Sequence, residues 1–496
     1  MTLTLSTPLE PTTPPPLERV WADAFPELSR PVAPVRAPQP RVLAVNADVA
    51  RELGLDPGYL QSAAGARFLT GESLGPDSAP VAQVYAGHQW GVFRPILGDG
   101  RAALLGERRD RAGRLRDLHV KGIGPTPMSR VDGYAVVGPM LREFLMGEAM
   151  HALGVTTTRG LAVVATGRPR DHDGRVLPGA VLARTASSHV RFGSFQYARA
   201  QGDAVLLRRL ADHVIARHYP LAAAAEHPYR ALLAEIVDAV AALTADWMRI
   251  GFVHGVLSTD NVLVAAETID YGPCAFLDAY EPSASFSSID EFGRYAYDRQ
   301  PSIMRWNLET LADALAPLLA EDPRAAEGVA RQIVDAFDAR YRERWANAFR
   351  AKLGFGDGVD PLTAAALAQA ALDLLADHAV DFTGFWRDLG AAAEGDHRPV
   401  RDRFLGPVPE LDDWLLRWSA LAPDAALIRA VNPVYVARNH IVEEALEAAT
   451  AGDLEPFSHL LELLREPCAE RPESGYRRFA RPAPDGSPRH RTFCGT

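Results

Sequence analysis

The residue types best suited to chemistry lie in one short stretch, FVHGVLSTDNVL, and in the IDYG that soon follows it. His254 precedes Asn261 by seven residues, and Asp260 lies directly before Asn261. Asp270 opens the Asp-Tyr-Gly triplet, after the apolar run 262–264. We interpret this stretch as a β-hairpin with the Asn and Asp side chains at its mouth. Amide and carboxylate oxygens are hard ligands, which Mg²⁺ binds together with the oxygens of nucleotide phosphates. Asn261 and Asp270 are therefore predicted metal ligands, although turn capping alone would use the same residue types.

The same spacing is typical of protein kinases, which place a His seven residues before a metal-binding Asn and an Asp-x-Gly shortly afterwards. The kinase base lies two residues after that His, and here the position is Val256. A valine cannot accept a proton from a hydroxyl group. The nearby carboxylate of Asp260 lies at a different position in the loop from the kinase base. Two interpretations follow: an inactive fold, or a reaction in which the attacked phosphorus is not the γ-phosphorus.

Lysine usage points to a second element. Of the 52 basic residues only Lys121 and Lys352 are lysines, and arginine does not replace a compact ammonium group at a tight phosphate site. Lys121 ends a predicted strand, and Glu143 follows 22 residues later on a predicted helix. In kinases a strand lysine held by a helix glutamate contacts the nucleotide phosphates. We predict that role for Lys121 with Glu143 as its partner, and we interpret Lys352 as a chance survivor.

A glycine turn precedes the first strand of this region. In the sequence GDGR, Gly98 and Gly100 would let backbone N–H groups approach a phosphate, and Arg101 would add positive charge. A plain hairpin turn is the alternative, because Gly-Asp-Gly occurs in many turns.

A hairpin is predicted to position these groups, with strands over Ala102–Glu107 and Leu118–Lys121 around a charged, Gly-containing turn. Alternation along the second strand gives it one polar and one apolar face. The polar face carries His119 and Lys121, and the apolar face carries Leu118 and Val120.

The other predicted elements are a Pro-rich surface leader over 1–40, short helices over 41–75, a helix from near Pro139 to Gly154, a strand over Gly179–Thr185 and helices over 303–470. The predicted fold class is α+β, with a small strand-containing N-terminal lobe and a larger, mainly helical C-terminal lobe that carries additional helices. The predicted domains are an N-terminal extension over 1–80, the N-terminal lobe over 81–195, the C-terminal lobe over 196–330 and a helical C-terminal region over 331–496.

Composition narrows the function classes. A chain of 496 residues with 47% hydrophobic and 23% charged residues is globular and large enough for about three domains. The net charge of -11 argues against nucleic-acid partners and anionic membrane surfaces. Three cysteines exclude a disulfide scaffold, and no HExxH pattern supports a zinc hydrolase. Without a secretory signal or a long apolar stretch, a soluble cytoplasmic protein is expected.

Several segments resemble the selenoprotein O family over nearly the whole chain, namely YAGHQWGVFRPILGDGRAALLGE, KGIGPTPMSRVDG, REFLMGEAMHALGVTTTRGL, RTASSHVRFGSF, FVHGVLSTDNVL, IDYGPCAFLDAY and NPVYVARNHIVEEAL. That family has a protein-kinase-like (pseudokinase) fold yet acts as a protein adenylyltransferase. It binds ATP in a flipped orientation and transfers AMP to Ser, Thr or Tyr hydroxyls. The resemblance implies ATP as substrate, Mg²⁺ or Mn²⁺ as the metal ion, and proteins with such hydroxyls as partners.

The resemblance also implies roles for individual residues. Asp260 would accept the proton, and Asn261 and Asp270 would bind the metal. The implied ATP contacts are Gly98, Gly100, Arg101, Lys121, Asp132, Gly133, Arg184, Arg191 and, through the metal, Asp270. Where the family usually reads S-R-x-G-D-G-R, this chain has 129–134 as SRVDGY, one glycine shorter and without the final Arg. A kinase and an inactive nucleotide-binding scaffold are the alternative functions.

Cys494 is third from the end of the sequence, where some members of the family carry selenocysteine and pair it with a loop cysteine. The comparable stretch 283–289 contains no cysteine, and Cys274 is the only one nearby. An unpaired tail thiol is therefore the alternative to a redox role.

Overall fold

The computed structural model describes residues 13–172, 174–484 and 486–492. In chain order the strands are β1 Ser29–Pro31, β2 Arg41–Val45, β3 Val81–Gln83, β4 Gly87–Gln89, β5 Val92–Arg94, β6 Ala102–Arg109, β7 Leu115–Lys121, β8 Ala135–Val136, β9 Arg159–His172, β10 Arg175–Ala186, β11 Phe252–Val253 and β12 Ala275–Phe276. The α-helices are α1 Val20–Ala24, α2 Ala47–Glu52, α3 Pro57–Gln61, α4 Ala63–Leu69, α5 Val137–Ala152, α6 Phe192–Ala200, α7 Ala204–His218, α8 Pro228–Ile250, α9 Gln300–Leu319, α10 Pro323–Lys352, α11 Pro361–Asp377, α12 Phe382–Ala393, α13 Arg398–Arg401, α14 Pro409–Ser419, α15 Ala425–Val431, α16 Asn439–Thr450, α17 Glu455–Arg465 and α18 Arg477–Ala480.

One compact unit is rich in strands and comprises 13–84, Leu97–Phe144 and Thr158–His189. Its antiparallel sheet has the order β1-β3-β6-β7-β10-β9-β2, and β8 pairs with β10 beside this path. Apolar residues of β6, β7, β9 and β10 share a buried core with α2, α3 and α4. Leu118 and Val120 lie in that core. The predicted hairpin and its apolar face are therefore confirmed.

The second compact unit is mainly helical and comprises Tyr85–Ile96, Leu145–Thr157 and the described residues from 190 onward. Within it α10 packs against α8, α9 and α11, while β4 pairs with β5 and β11 with β12. The starts of α10 and α11 are encoded locally. Asp322 and Asp360 accept backbone N–H groups at the two starts, and each is followed by Pro at a first helical position.

A buried arginine joins distant parts of the helical unit. Arg438 is 1% exposed, and its Nη1 donates to Asp278 Oδ1 at 2.7 Å and to Asp381 Oδ1 at 2.6 Å. Its Nη2 donates to Asp381 Oδ2 at 3.0 Å and to the carbonyl oxygen of Ala480 at 3.1 Å. The planar guanidinium group can satisfy these acceptors together because its donors point in fixed directions.

The concentration of strands in one unit and of helices in the other gives an α+β fold of the protein-kinase-like type, as predicted. The predicted domain boundaries stay a prediction. Within the described ranges, no helix is both long enough and apolar enough to cross a membrane.

Several local predictions are wrong. Residues 41–75 begin with a strand rather than a helix, because 41–45 pair with β9, a strand that was not predicted either. The described part of the Pro-rich leader lies mostly at the surface, as predicted, but it also contributes Trp21, Phe25 and Leu28 to the buried core. The apolar run after Asn261 forms no regular hairpin among the described residues, and Leu263 makes only an isolated bridge with Arg191.

Lys352 lies in the core of the helical unit rather than at the surface. It is 2% exposed, and its Nζ lies 5.4 Å from the ring centroid of Phe382 and 5.3 Å from that of Trp386. Burial holds the pKa of the Lys352 ammonium group well below its usual value. The unfolded chain therefore binds a proton at pH values where the folded chain does not, which opposes folding below the unfolded pKa.

We expect Lys352→Met to stabilise the protein by more than about 1 kcal/mol at pH 7, because it removes this proton-binding difference. The advantage should shrink as pH rises toward about 10, where the unfolded lysine also loses its proton. Urea unfolding of both proteins at pH 7 and at pH 9.5 measures the change. Arg331→Met is the control, since the exposed pair Arg331–Glu327 lies on the same helix. A Lys352→Met protein less stable than the parent at pH 7 would contradict the prediction.

Candidate active site

The glycine turn precedes β6 in the strand-rich unit. Gly98 has a φ of +147°, and a Cβ at this position would lie 2.7 Å from the carbonyl oxygen of Gln83, so the turn requires glycine. Gly100 donates its N–H to the carbonyl oxygen of Gly98 at 2.8 Å. Arg101 follows directly and is partly buried. The turn thus has a defined backbone shape, and its contact with ATP stays a prediction.

Lys121, the last residue of β7, is buried beside Glu143 of α5. Its Nζ donates to Glu143 Oε1 at 2.5 Å. Arg184 of β10 approaches the other carboxylate oxygen, Oε2, at 3.5 Å. The contact expected between Lys121 and Glu143 is therefore present, and the same carboxylate also holds Arg184. Two cations on one buried carboxylate can face a polyanion such as a triphosphate.

A buried histidine connects Arg184 to the glycine turn. Arg184 Nε donates to His119 Nδ1 at 3.3 Å, so this ring nitrogen must be an acceptor. The other nitrogen, Nε2, then donates to Asp99 Oδ2 at 3.1 Å, and the ring is neutral. His119 stacks on His189 with ring centroids 4.2 Å apart. Burial lowers the pKa of His189 to about 3.

These two histidines were not among the predicted site residues. The pairing of β7 with β10 places His119 opposite Arg184. The two residues are 65 positions apart in the chain, so only the strand register could have indicated the contact.

Asp132 and Gly133 lie in the segment that departs from the family pattern. The Asp132 carboxylate forms an ion pair with Arg170 and accepts the N–H of Tyr134 at 3.1 Å. Gly133 has a φ of +74°, and a Cβ there would lie 2.1 Å from the carbonyl oxygen of Gly124. The structure gives Gly133 a backbone role. A contact of either residue with ATP stays a prediction.

In the helical unit, His254 organises the loop that follows β11. Its backbone N–H donates to Gln300 Oε1 at 2.9 Å, and its Nε2 donates to the carbonyl oxygen of Ile269 at 2.9 Å. Burial lowers the pKa of the imidazole, which agrees with a neutral ring. Because Ile269 directly precedes Asp270, His254 connects the two ends of the predicted site.

Asp260 and Asn261 lie on a short 3₁₀ turn of this loop. Asn261 Nδ2 donates to the carbonyl oxygen of Val256 at 3.1 Å, which leaves the amide oxygen as the atom that can face a cation. Asp260 is 7% exposed, and burial raises the pKa of its carboxyl group. Its Oδ2 accepts from Gln89 Nε2 at 3.2 Å. Its Oδ1 is buried and forms no hydrogen bond of normal geometry with the residues that the structure describes, although the Ser258 side chain is close enough to oppose part of the rise in the pKa of the carboxyl group.

Arg191 connects Asp260 with Asp270. Its Nη1 donates to Asp270 Oδ2 at 3.0 Å and also to the backbone carbonyl oxygen of Asp260. The guanidinium group lies 4.8 Å from the ring centroid of Tyr85, an attractive cation–π arrangement. Asp270 has a φ of +61°, a left-handed conformation that is uncommon outside glycine and frequent at functional sites. The direct contact of Arg191 with ATP stays a prediction.

The predicted metal ligands offer oxygen only. The amide oxygen of Asn261 and the carboxylate of Asp270 suit Mg²⁺ or Mn²⁺. Over the described part of the chain, no group of three or more His, Cys, Asp or Glu residues could hold a metal ion. These two residues therefore fit an ion that completes its coordination with nucleotide phosphates and water, as Mg²⁺ usually does.

Cys274 and Cys494 are the two candidates for a redox role. Cys494 lies outside the described residues. Cys274 is buried, and its Sγ donates to the carbonyl oxygen of Tyr271 at 3.1 Å. The backbone near Cys494 pairs with the segment after Asp270, because Thr492 N–H donates to the Phe286 carbonyl oxygen at 2.8 Å. A redox role stays a prediction.

Comparison with known proteins shows similarity over nearly the whole chain. The family model described as Protein adenylyltransferase SelO matches residues 17–465. A relative from Mycolicibacterium paratuberculosis, named Protein nucleotidyltransferase YdiU, is 54% identical over 483 residues, which cover 96% of this chain and 95% of the relative. A relative of the same name from Pseudarthrobacter chlorophenolicus is 54% identical over 475 residues, covering 95% and 96%. One from Cereibacter sphaeroides is 51% identical over 470 residues, covering 94% and 96%.

The family model covers most of both compact units and every residue named in this site except Cys494 and Thr492. A kinase-like fold that lacks the kinase base at Val256 but carries Asp260 is consistent with transfer of a nucleotidyl group. The chain is a nucleotidyltransferase that belongs to the SelO family.

Proposed function

We propose that this protein is a protein adenylyltransferase, which transfers AMP from ATP to a Ser, Thr or Tyr hydroxyl of another protein and releases pyrophosphate. The observation that carries the proposal is the carboxylate of Asp260. It is buried, one oxygen is held by Gln89, and the other forms no hydrogen bond of normal geometry within the described ranges. A kinase fold with Val256 at its usual base position has this carboxylate as its proton acceptor.

In the proposed reaction, Asp260 Oδ1 accepts the proton of the acceptor hydroxyl. The hydroxyl oxygen forms a bond to the α-phosphorus of ATP, and the bond from that phosphorus to the bridging oxygen of the β-phosphate breaks. The leaving pyrophosphate carries negative charge, and Lys121 and Arg184 are the proposed groups that neutralise it. Glu143 keeps these two cations in place through its two carboxylate oxygens.

Asn261 and Asp270 are the proposed holders of Mg²⁺ or Mn²⁺, and such an ion would supply further neutralisation of the phosphate oxygens. Gly98, Gly100, Arg101, Asp132, Gly133 and Arg191 are the further proposed ATP contacts, on the basis of the family resemblance. The protein partners are those that present an accessible hydroxyl. The absence of nucleic-acid partners and the cytoplasmic location stay predictions.

Labelled ATP tests the proposal. We expect the purified protein, incubated with Mg²⁺ and a test protein containing all three hydroxyl residues, to transfer label from α-labelled ATP and not from γ-labelled ATP. Intact-mass analysis of the test protein and of the enzyme itself should show added AMP. Transfer of the γ-label alone would establish the kinase alternative. Nucleotide binding without transfer of either label would establish the inactive scaffold, and either result would overturn the proposal.

A further inference from the structure

The short hairpin formed by β4 and β5 contacts the loop of Asp260 at two consecutive positions. The backbone N–H of His88 donates to Thr259 Oγ1 at 2.8 Å. The side chain of the next hairpin residue, Gln89, donates from Nε2 to Asp260 Oδ2 at 3.2 Å. Both contacts join residues 171 positions apart in the chain, so two neighbouring hairpin residues meet two neighbouring loop residues in register.

A closed set of hydrogen bonds fixes the first of these contacts. The hydroxyl of Thr259 accepts from His88 and donates to Gln196 Oε1 at 2.8 Å. Gln196 Nε2 then donates to His88 Nδ1 at 3.0 Å, which completes the ring. Each donor and acceptor role follows from its neighbour, since the backbone N–H can only donate and the amide oxygen can only accept. The His88 ring also packs against Phe93 and Trp306.

The second contact distinguishes the two oxygens of the Asp260 carboxylate. Oδ2 is held by Gln89, whereas Oδ1 forms no hydrogen bond of normal geometry in the described part of the chain. Rotation of the carboxylate plane about its bond to Cβ would turn Oδ1 away from its present direction, and the Gln89 amide opposes that rotation. Because Gln89 follows His88 directly, the closed ring sets the position from which the amide reaches Asp260.

We infer that Gln89 is a positioning residue, whose amide holds Asp260 Oδ2 so that Oδ1 faces the acceptor hydroxyl. The inference rests on the proposed function, in which Asp260 is the proton acceptor. Gln89 itself contacts neither ATP nor the acceptor in this role. It acts only through the orientation of the carboxylate, and its loss should therefore affect turnover and leave ATP binding intact.

Gln89→Met tests the inference, because Met has nearly the same length and cannot donate a hydrogen bond. We expect kcat for AMP transfer to fall by about 10- to 100-fold, the usual effect of removing a hydrogen bond to a charged group. The KM for ATP and the melting temperature should stay at the parent values. Gln89→Glu keeps the shape but places an acceptor against Oδ2, and it should lose at least as much turnover. This second variant decides the matter where the first fails to fold.

Gln369→Met is the matched control. Gln369 Nε2 also donates to a carboxylate oxygen, Asp373 Oδ1, at 2.8 Å, but on the exposed face of α11, so its replacement should leave kcat unchanged. Parent-like kcat in both Gln89 variants would overturn the inference while AMP transfer by the parent protein upholds the proposed function. A joint change in KM and melting temperature would show a structural role and overturn it too. No AMP transfer by the parent protein overturns both.

Discussion

Asp260→Asn is expected to lower kcat for AMP transfer by about 100- to 10,000-fold, the usual contribution of a general base. The asparagine keeps an oxygen that can accept from Gln89, but its amide cannot take the proton of the acceptor hydroxyl. ATP affinity should change little, because Asp260 is neither a proposed ATP contact nor a proposed metal ligand. Initial rates with α-labelled ATP and calorimetric titration with Mg-ATP measure the two effects.

Asp246→Asn is the control for this substitution. Asp246 is a partly buried carboxylate of α8 that forms an ion pair with Arg249 at 3.2 Å, and burial raises the pKa of its carboxyl group as it does for Asp260. Its replacement should leave AMP transfer at the parent rate. A correctly folded Asp260→Asn protein that transfers AMP at the parent rate would contradict the assigned role of Asp260.

Lys121→Met is expected to raise the dissociation constant of ATP at least tenfold and to lower kcat as well. It removes one of the two cations proposed to neutralise the leaving phosphates, and it leaves Glu143 with Arg184 alone. Lys121→Arg should be impaired as well, although arginine serves as the basic residue at 50 other positions of the chain. The ammonium group is 2.5 Å from Glu143 in a buried position, and a planar guanidinium group is larger and differently shaped.

The chain supplies its own control for this experiment, since Lys352 is the other lysine and is packed against Phe382 and Trp386. Lys352→Met should change stability but neither ATP affinity nor kcat. Calorimetry and steady-state rates on the three variants compare them directly. An active Lys121→Arg protein with parent-like ATP affinity would contradict the explanation given for the retained lysine.

What the sequence could predict depended on how local the interaction was. The face of β7 that carries Lys121 follows from strand alternation over four residues, and the order of His254, Asn261 and Asp270 is visible within one short stretch. The contact of Arg184 with His119 needed the register of β7 against β10, which no local pattern contains. Gln89 was not identified because its partner Asp260 is 171 residues away.

The elements that were missed have a similar physical cause. The residues of β9 are apolar in their first half and polar in their second, so no single alternation marks the whole strand. The prolines of the leader predict a surface segment. Its packing instead depends on Trp21, whose backbone N–H donates to the buried Glu107 carboxylate at 2.7 Å, a contact that composition cannot show.

The position of Arg438 bears on how far this protein can be shortened. Its guanidinium group neutralises Asp278 and Asp381 from the residue just before α16, 57 positions beyond Asp381 in the sequence. A fragment ending after the regions that carry Asp260 and Asp270 would leave the half-buried Asp278 without its counter-ion, which should destabilise the fold. The terminal helices are therefore an integral part of the folded enzyme and not a removable appendage.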